Sequence, residues 1–383
     1  MSASVADLQS DLRRRHDGVD VLGFFTAEHG VGEAARSTVQ SLRTAGVPTR
    51  TINYTDTESR MGEDFPTDDI SENRVLFLAL NADHVNAARG RMGEEFFRDR
   101  YVISQWFWEL ETAPPWFADA FGHVDELWAP TRFIEEMLRR SAPGNVRVEY
   151  MPPAVVAPPV GEVSDRRHFG PDGRFMFYFS FDFMSIAKRK NPVGLIEAYT
   201  RAFVPGDGAQ LVIKSINGDK RPADVAAVRA AIGDRGDITL MTEYQSRRDA
   251  STLMSMADCY VSLHRSEGLG LTITEAMSLG VPVIATGYSG NLDFMDEWNT
   301  WRVPCSMVPV GFGAGGYPPV AQWAEPNLDE AARMMREVFE NPRAAREKAA
   351  RAQEHLLNSF SPESAGARMR RRLEKVWASL ERR

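Results

Sequence analysis

Two carboxylates, Glu267 and Glu275, stand eight positions apart on either side of a glycine-rich turn at residues 268–272. An apolar run at 257–263, typical of a buried strand, precedes the turn, and apolar residues at helical spacing follow it over 273–279. A strand, a glycine turn and a helix start present unpaired N–H groups and the positive end of the helix dipole to an anion. The spacing therefore predicts a phosphate site, with one carboxylate on each side to accept hydrogen bonds from hydroxyl groups.

An acidic residue near the start of a helix also has an ordinary explanation, since Glu275 can simply complement the helix dipole. The residues that follow favour a binding site. Residues 280–286 have the pattern of a parallel strand, and residues 287–291 form a second glycine-containing loop. We therefore predict two neighbouring loops at one edge of a parallel sheet.

Together, residues 264–291 resemble the donor-binding signature of the retaining glycosyltransferases of family four, in which an E-x7-E pattern precedes a small-residue helix and a Gly-x-Pro-Val-Ile strand. The resemblance implies that Glu267 orients the transferred sugar through its hydroxyl groups. It also implies that Glu275 binds the ribose of a nucleotide donor. Further donor contacts are expected from the turn and the second loop, at Gly268, Leu269, Gly270, Leu271, Thr272 and Asn291.

A second donor contact is predicted in the segment after another strand-like run. Lys190 matches the phosphate lysine of the family, and Arg189 beside it can assist. A fixed cation there stabilises the charge that grows on the leaving oxygen of a nucleotide diphosphate, so both residues are catalytic candidates together with Glu267. This chain has Asp182 where many relatives carry an arginine, and Arg189 or Arg265 would have to supply the missing charge.

The resemblance implies transfer of a hexose from a nucleotide diphosphate sugar to a hydroxyl of a saccharide or glycolipid acceptor, with retention at the anomeric carbon. The departing phosphate can take the acceptor proton on the same face of the sugar, so no covalent nucleophile is expected. The seven histidines show no metal-ligand spacing, and we expect neither a metal ion nor a cofactor. The range of the family makes GDP-mannose the first donor to test and a UDP-sugar the next.

The alternation of strand-like and helical patterns predicts an α/β protein with two halves, each built on a parallel, doubly wound sheet. The predicted strands of the first half lie at 19–26, 49–53, 75–79, 101–106, 126–129 and 146–151. Those of the second half lie at 175–181, 209–214, 238–241, 259–263 and 281–285. Helices are predicted at 33–45 and 132–140, and a closing helix is predicted from Ser361 with an apolar stripe that ends at Leu380.

These two halves resemble the GT-B fold, in which two Rossmann-like domains face each other across a cleft. The proline-rich residues 152–159 are predicted to be a hinge-like linker. We expect residues 1–157 to form the acceptor-side domain and residues 158–359 the nucleotide-sugar donor domain. The resemblance further implies that residues 360–383 form a helix that crosses back to the first domain.

The acceptor side is predicted from loops of the first half. Gly30 and Gly32 resemble the first glycine loop of the family, which contributes to the donor diphosphate and acceptor region. An aromatic and acidic segment follows the strand at 101–106, where aromatic faces can stack on sugar rings or simply fill the core. Acceptor contacts are accordingly predicted, against a purely structural alternative, for His29, Trp106, Trp108, Glu109 and His123.

The composition argues against several classes of protein. The formal charge of −8, from 45 basic and 53 acidic residues, argues against a nucleic-acid partner, and two cysteines are too few for a disulfide framework. A polar start and the absence of an apolar run near the ~20 residues of a membrane span predict a cytoplasmic protein. Residues 343–383 hold eleven basic and five acidic residues, which is typical of a solvated helix face but also suits weak peripheral contact with an inner membrane surface.

Three other functions remain open from the sequence. Residues 30–35 fit a short dinucleotide fingerprint, which would indicate an NAD(P)-dependent oxidoreductase, although Asn53 stands where an acidic ribose ligand is usual. Glu267 and Glu275 could instead be the paired carboxylates of a glycoside hydrolase. A non-catalytic nucleotide-sugar-binding protein would keep the donor site and lack turnover.

Overall fold

The computed structural model describes residues 17–68, 72–162 and 173–382. The chain divides into two compact units. The first contains the described residues up to Val155 and those from Ser359 onward, and the second contains residues 156–358. Each unit has its own parallel sheet covered by helices.

The first unit is built on six short strands. Their bounds are β1 (Val19–Gly23), β2 (Thr49–Asn53), β3 (Val75–Ala79), β4 (Tyr101–Ser104), β5 (Glu126–Ala129) and β6 (Arg147–Tyr150). The order across the sheet is β2-β1-β3-β4-β5-β6, and every neighbouring pair is parallel. The predicted positions of β2, β3 and β5 are confirmed residue for residue, whereas β1, β4 and β6 end before their predicted limits.

In the described part of this unit, five α-helices follow these strands and a sixth closes the unit. They are α1 (Gly30–Thr44), α2 (Ala82–Met92), α3 (Glu94–Phe97), α4 (Phe117–Phe121), α5 (Arg132–Ser141) and the closing helix (Pro362–Leu380). The start of α1 differs from the prediction at residue 33, because the His29 side chain accepts a hydrogen bond from Gly32 N at 3.1 Å and caps the helix. The segment predicted as a glycine loop therefore contains the first turn of α1.

The closing helix packs on α1 and completes the core of the first unit. Ser361 caps it and Pro362 occupies its first turn, as predicted. Gly366 permits the close approach, since a Cβ there would lie 2.1 Å from Ser41 O. The predicted apolar stripe is buried: Ala365, Met369, Leu373, Val376, Trp377 and Leu380.

The second unit has a six-stranded parallel sheet and a separate antiparallel hairpin. The strands are β7 (Phe175–Asp182), β8 (Ala209–Ile216), β9 (Ile238–Met241), β10 (Cys259–Ser262), β11 (Val283–Thr286), β12 (Trp301–Val303), β13 (Cys305–Pro309) and β14 (Gln322–Pro326). The order in the sheet is β12-β11-β10-β7-β8-β9, and β13 pairs with β14 in the hairpin. The five predicted strands are present. β9 is confirmed residue for residue, and the other four shift by one or two residues at their ends. β12 and the hairpin were not predicted.

Seven α-helices lie among the described residues of the second unit. They are α6 (Ala187–Lys190), α7 (Pro192–Ala202), α8 (Pro222–Ile232), α9 (Arg247–Ser255), α10 (Leu271–Ser278), α11 (Leu328–Glu340) and α12 (Pro342–Ser359). None of the helices in the described part of the chain is both long and apolar enough to cross a membrane.

The strand order of each sheet reverses at one point. In the first unit β1 and β3 flank that point, and in the second unit β7 and β10 flank it. Ligands of open parallel sheets bind outside the carboxyl ends of the strands at such a reversal, because the following loops turn to opposite faces and leave a crevice. The loops after β7 and β10 carry the predicted catalytic residues.

Candidate active site

The reversal point of the second sheet brings together two segments that are far apart in sequence. β7 is the first strand of this sheet and β10 the fourth, yet they are paired neighbours. Lys190 ends the short helix after β7, and Glu267 lies in the loop after β10. Their side chains meet although 77 positions separate them.

Lys190, Arg189 and Glu267 form a compact charged cluster. Lys190 Nζ donates to Glu267 Oε1 at 2.5 Å, and Arg189 Nη1 lies 3.2 Å from the same oxygen. Burial by itself raises the pKa of a carboxyl group, but Lys190 and Arg189 outweigh it and lower the pKa of Glu267 to about 2. At neutral pH the cluster therefore holds one carboxylate and two cations, a net charge of one positive unit at the end of the sheet.

Arg189 is the more deeply held of the two cations. Only 4% of its surface is exposed, and its Nη1 also donates to Ser266 O at 2.8 Å. Arg189 thus holds the backbone of the loop that carries Glu267 and also pairs with the Glu267 carboxylate. Lys190, whose side chain is 14% exposed, reaches the carboxylate from the more open side.

The loop that carries Glu267 packs directly on the loop after β11. Ser289 Oγ accepts a hydrogen bond from Glu267 N at 2.8 Å, and Gly290 N donates to Glu267 O at 2.9 Å. A Cβ on Gly290 would lie 2.0 Å from Gly268 O, so the two backbones touch directly and only glycine fits. Ser289 holds a positive φ of 75°, which is costly for a residue with a side chain and shows how strongly its surroundings fix it.

A buried polar chain continues from this loop contact. His264 is fully buried, and its ring contacts Ser262 Oγ at 3.0 Å and Asn291 Oδ1 at 3.1 Å. Burial lowers the pKa of His264, so the ring is neutral at neutral pH. Because Asn291 Nδ2 donates to Thr286 O at 2.9 Å, its Oδ1 is the acceptor and His264 donates from Nε2.

This arrangement changes the role assigned to Asn291. Its side chain is completely buried and its polar atoms are used inside the protein. Asn291 therefore positions the loops, and only its backbone is left for contact with a donor.

The turn between the two carboxylates opens α10. Gly270 adopts a left-handed φ of 83° at the cap position, which explains the need for glycine there. Leu269 and Leu271 are partly exposed beside it, and the hydroxyl of Thr272 accepts a hydrogen bond from Tyr260 at 2.7 Å. The helix begins two residues earlier than the predicted 273.

Glu275 is the fifth of the eight residues of α10, and its side chain is partly buried. Its Oε1 is 3.9 Å from Arg247 Nη2. Glu267 and Glu275 are thus in different surroundings. The first is fixed between two cations, and the second stands on the helix that begins at the turn.

The missing strand-end cation near Asp182 is not replaced by Arg265. Arg265 binds Glu325 through Nε at 2.7 Å and Nη2 at 2.8 Å, and its Nη1 donates to Lys188 O at 2.6 Å. It is therefore committed to holding the β13–β14 hairpin. Asp182 itself caps the following turn, accepting hydrogen bonds from Met184 N at 2.9 Å and Asn217 Nδ2 at 2.8 Å.

The reversal point of the first sheet contains the other predicted glycines. Gly30 is the first residue of α1, and a Cβ on Gly32 would lie 2.7 Å from the carbonyl oxygens of Phe24 and Ala27. Gly32 is therefore required by the packing of the preceding loop. His29 caps α1, and burial, with smaller effects of Arg36 and another histidine, lowers its pKa to about 4.

Two of the predicted acceptor residues lie in the core of the first unit. Trp106 is completely buried among Phe117 and Phe121, and Trp108 is 8% exposed with its Nε1 bonded to Thr112 O at 2.9 Å. Both fill the core, since the aromatic rings after β4 pack on α4. Neither ring presents an open face to a ligand in this structure, which favours the structural alternative for both.

The remaining acceptor candidates lie nearer the surface. Glu109 and His123 are both partly exposed, and burial lowers the pKa of His123. The neighbouring Trp116, which we did not predict, keeps 41% of its surface exposed and stacks edge-on against Trp108. It is the aromatic face of this segment that a ligand can reach.

Sequence reasoning missed the residues that position Glu267. These are Ser289, His264, Ser262 and Ser266, none of which has a chemically distinctive spacing. The one available signal was Ser289 beside Gly290 in a loop already predicted to lie next to the first. Among the described residues, no group of three or more His, Cys, Asp or Glu side chains forms a metal site.

Comparison with known proteins gives one family match, which lies in the second unit. Residues 181–305 match the family model described as Glycosyl transferases group 1, and this range includes Lys190, Glu267 and Glu275. A search of curated proteins gave no match to the chain.

Solved structures with a similar fold cover nearly the whole chain. Sucrose-phosphate synthase from Thermosynechococcus elongatus is 14% identical, with a TM-score of 0.70 over 95% of this chain and 100% of that one. The Anabaena protein HepE in complex with UDP and glucose is 12% identical, with a TM-score of 0.66 over 94% and 100%. A glycosyltransferase from Rickettsia africae ESF-5 is 12% identical, with a TM-score of 0.63 over 95% and 99%.

The predicted fold class is confirmed: two α/β units on parallel six-stranded sheets, as in these GT-B glycosyltransferases. Within that fold, residues 181–305 match the glycosyl transferases group 1 model.

Proposed function

We propose that this protein is a retaining, metal-independent glycosyltransferase that moves a hexose from a nucleoside diphosphate sugar to a hydroxyl of a saccharide or glycolipid acceptor. The observation that carries the proposal is the Lys190–Glu267–Arg189 cluster at the reversal point of the second sheet, inside the segment that matches glycosyl transferases group 1. A net positive charge and a helix start at the same edge suit the diphosphate of such a donor.

In this mechanism the two cations and the start of α10 hold the diphosphate. Negative charge grows on the leaving phosphate oxygen as the glycosidic bond breaks, and Lys190 stabilises it there more strongly than in the ground state. Glu267, ionised and fixed by the cations, accepts a hydrogen bond from a sugar hydroxyl. The acceptor oxygen bonds to the anomeric carbon on the face that the phosphate leaves, and its proton passes to the phosphate.

Glu275 is assigned to the ribose. It lies on α10, beyond the turn that receives the phosphates, and its side chain is partly exposed, so its carboxylate can accept hydrogen bonds from vicinal hydroxyls. The sugar, phosphate and ribose would then be held by successive parts of one strand–turn–helix segment.

The donor is proposed to be GDP-mannose or a UDP-sugar. The sequence resemblance puts GDP-mannose first, while the similar structure of HepE holds UDP and glucose and supports testing uridine donors with equal care. No cofactor has a part in the proposed reaction.

The alternative function, an NAD(P)-dependent oxidoreductase, has less support from the structure. Gly32 is explained by its contacts with the carbonyl oxygens of Phe24 and Ala27 rather than by the approach of a pyrophosphate. Asn53, at the position of the expected ribose ligand, accepts from Phe25 N at 3.0 Å and donates to Thr26 Oγ1 at 3.0 Å. It is engaged in holding the loop after β1.

The test begins with a thermal-shift screen of nucleotides and nucleotide sugars, because a ligand of the folded state raises the melting temperature by mass action. Nucleoside diphosphate release is then measured with the donor that binds, in the presence of simple glycoside acceptors, and the anomeric configuration of the product is read by NMR. We expect release that depends on acceptor and a product with retained configuration.

Lys190→Met should abolish most of this release, and Arg343→Met, which removes a cation with a 94% exposed side chain, should not. Donor binding without release of nucleoside diphosphate would indicate a non-catalytic nucleotide-sugar-binding protein instead. Binding of NAD(H) in place of nucleotide sugars would overturn the proposal.

A further inference from the structure

The backbone is strained at the residue that precedes the short helix α6. Ile186 has a φ of 63° and a ψ of 98°, outside the regions that a side chain branched at Cβ normally occupies. Its carbonyl oxygen accepts hydrogen bonds from Arg189 N at 2.9 Å and from Lys190 N at 3.2 Å. The direction in which these two cations leave the backbone therefore depends on the conformation of Ile186.

A strained backbone conformation persists only where the surrounding contacts impose it. Residues 310–321, which join β13 to β14 and are called here the hairpin loop, supply such contacts. Lys188 Nζ donates to Val310 O at 2.8 Å and to Phe312 O at 3.2 Å. A Cβ on Gly315 would lie 2.7 Å from Ile186 Cδ1, so the backbone of the hairpin loop touches the Ile186 side chain directly.

Arg265 attaches the hairpin to the same helix by a second route. Its Nη1 donates to Lys188 O at 2.6 Å, and its backbone N donates to Arg189 O at 2.7 Å. On the other side, Arg265 binds Glu325 of β14. The helix that carries Arg189 and Lys190 is thus tied to the hairpin through its backbone and through the side chain of Lys188.

We infer that the β13–β14 hairpin positions the catalytic helix α6. Its contacts hold Ile186 in the strained conformation that directs Arg189 and Lys190 toward Glu267. When these contacts are lost, Ile186 returns to a negative φ and α6 takes another direction, which separates Lys190 from Glu267. Lys188 acts through Lys190 and is a positioning residue. The inference rests on the proposed function, since it gives the hairpin an effect on turnover.

The first experiment measures hydrogen exchange at the amides of Arg189 and Lys190 in the full chain, with no donor present. Lys188→Met should raise exchange at least ~tenfold, because strain of the size expected at Ile186 shifts a local equilibrium by about that factor. Lys375→Met, which removes an exposed lysine side chain from the closing helix, should leave it unchanged. A cooperative melting transition in each variant shows that the chain is folded.

Gly315→Ala tests the same contact from the hairpin side, and Gly313→Ala is its matched control. Both glycines have a positive φ, 62° and 78°, so alanine is strained at either position. No atom of a described residue lies within 4 Å of a Cβ placed on Gly313, whereas the Cβ on Gly315 meets Ile186. Only Gly315→Ala should therefore raise exchange in α6.

The second experiment repeats these substitutions in an Ile186→Gly background. Glycine adopts a positive φ without a Cβ clash, so this background has little strain to release. With the donor chosen by thermal screening, Lys188→Met should lower kcat at least ~tenfold when Ile186 is present and less than about threefold in the Ile186→Gly background. Gly315→Ala should lose its effect in the same way, because the atom that it contacts is absent. A general role in stability, or direct contact of Lys188 with the donor, would give equal losses in both backgrounds.

The inference is overturned if Lys188→Met and Lys375→Met show the same exchange at Arg189 and Lys190. Equal losses of kcat with Ile186 and with Ile186→Gly would overturn it too. Because hydrogen exchange needs no donor, it tests the positioning of α6 even if no sugar transfer is found. Failure of the proposed function and failure of this inference are therefore distinguishable.

Discussion

Gly290→Ala is the sharpest test of how the site is assembled. The added Cβ would lie 2.0 Å from Gly268 O and 3.0 Å from Glu267 O, whereas ordinary contacts begin at about 3.4 Å. The loop that carries Glu267 must therefore move by more than about 1 Å, or the loop after β11 must move away from it. The hydrogen bond from Gly290 N to Glu267 O, 2.9 Å long, would be strained or lost.

Overpacking of this kind costs about 1–3 kcal/mol, and the strained hydrogen bond adds about 1 kcal/mol. For a unit of this size that corresponds to a fall in melting temperature of about 3–10 °C. Displacement of Glu267 relative to Lys190 should also weaken nucleotide-sugar binding about tenfold. Differential scanning calorimetry and titration of the best donor measure the two effects.

Gly236→Ala is the matched control in the same unit. No atom lies within 4 Å of a Cβ placed there, and its backbone is not in the left-handed region. This substitution should be neutral or slightly stabilising. The reasoning is refuted if Gly290→Ala melts within about 1 °C of Gly236→Ala and binds the donor equally well.

Four other predictions follow from the charges. Lys190→Met should lower kcat by about 10²–10³ with little change in KM, and Glu275→Ala should raise the donor Kd with a smaller effect on kcat; titration and steady-state kinetics measure both. The folded-state pKa of Glu267 is depressed to about 2, so its stabilisation is present above the ordinary value of 4.5 and is lost as pH falls toward 2. The difference in unfolding free energy between the unaltered protein and Glu267→Gln should therefore shrink by about 2 kcal/mol from pH 7 to pH 3 in urea titrations, and a constant difference would contradict it. Arg372→Met should cost about 3–5 kcal/mol, because it leaves a buried carboxylate without its cation, whereas Arg346→Met should cost less than about 0.5 kcal/mol.

The sheet architecture could be predicted from the sequence because buried parallel strands are nearly continuous apolar runs between turns. β2, β3, β5 and β9 were predicted residue for residue on this basis. The assignment of Lys190 and Glu267 to one site followed from the family resemblance, since each lies in a segment after a predicted strand of the second half. The distance between the two side chains could not be predicted from the sequence, because it depends on which strands become neighbours.

Other features were beyond sequence reasoning. The segment that forms the β13–β14 hairpin is rich in glycine and proline and resembles a loop, and the pairing of Arg265 with Glu325 that attaches it joins positions 60 apart. Trp106 was predicted to face a ligand because aromatic residues after a strand suit both a core and a binding wall. Its burial against Phe117 depends on how α4 folds back, which local sequence does not specify.

The start of α1 illustrates a third limit. Gly30 and Gly32 have low helix propensity, so the pattern placed the helix start at residue 33. The cap made by His29 and the tight contact of Gly32 with the loop after β1 outweigh that propensity. Both the cap and the contact are tertiary effects, which the sequence pattern alone does not determine.

The central claim is that a nucleoside diphosphate binds at the reversal point of the second sheet. A crystal structure of the protein with the nucleoside diphosphate chosen by thermal screening tests it most directly. We predict phosphate oxygens within hydrogen-bond distance of Lys190 Nζ and of the N–H groups of residues 268–272, with the ribose hydroxyls on Glu275. A nucleotide bound elsewhere on the chain, with no density beside Lys190, would contradict the account.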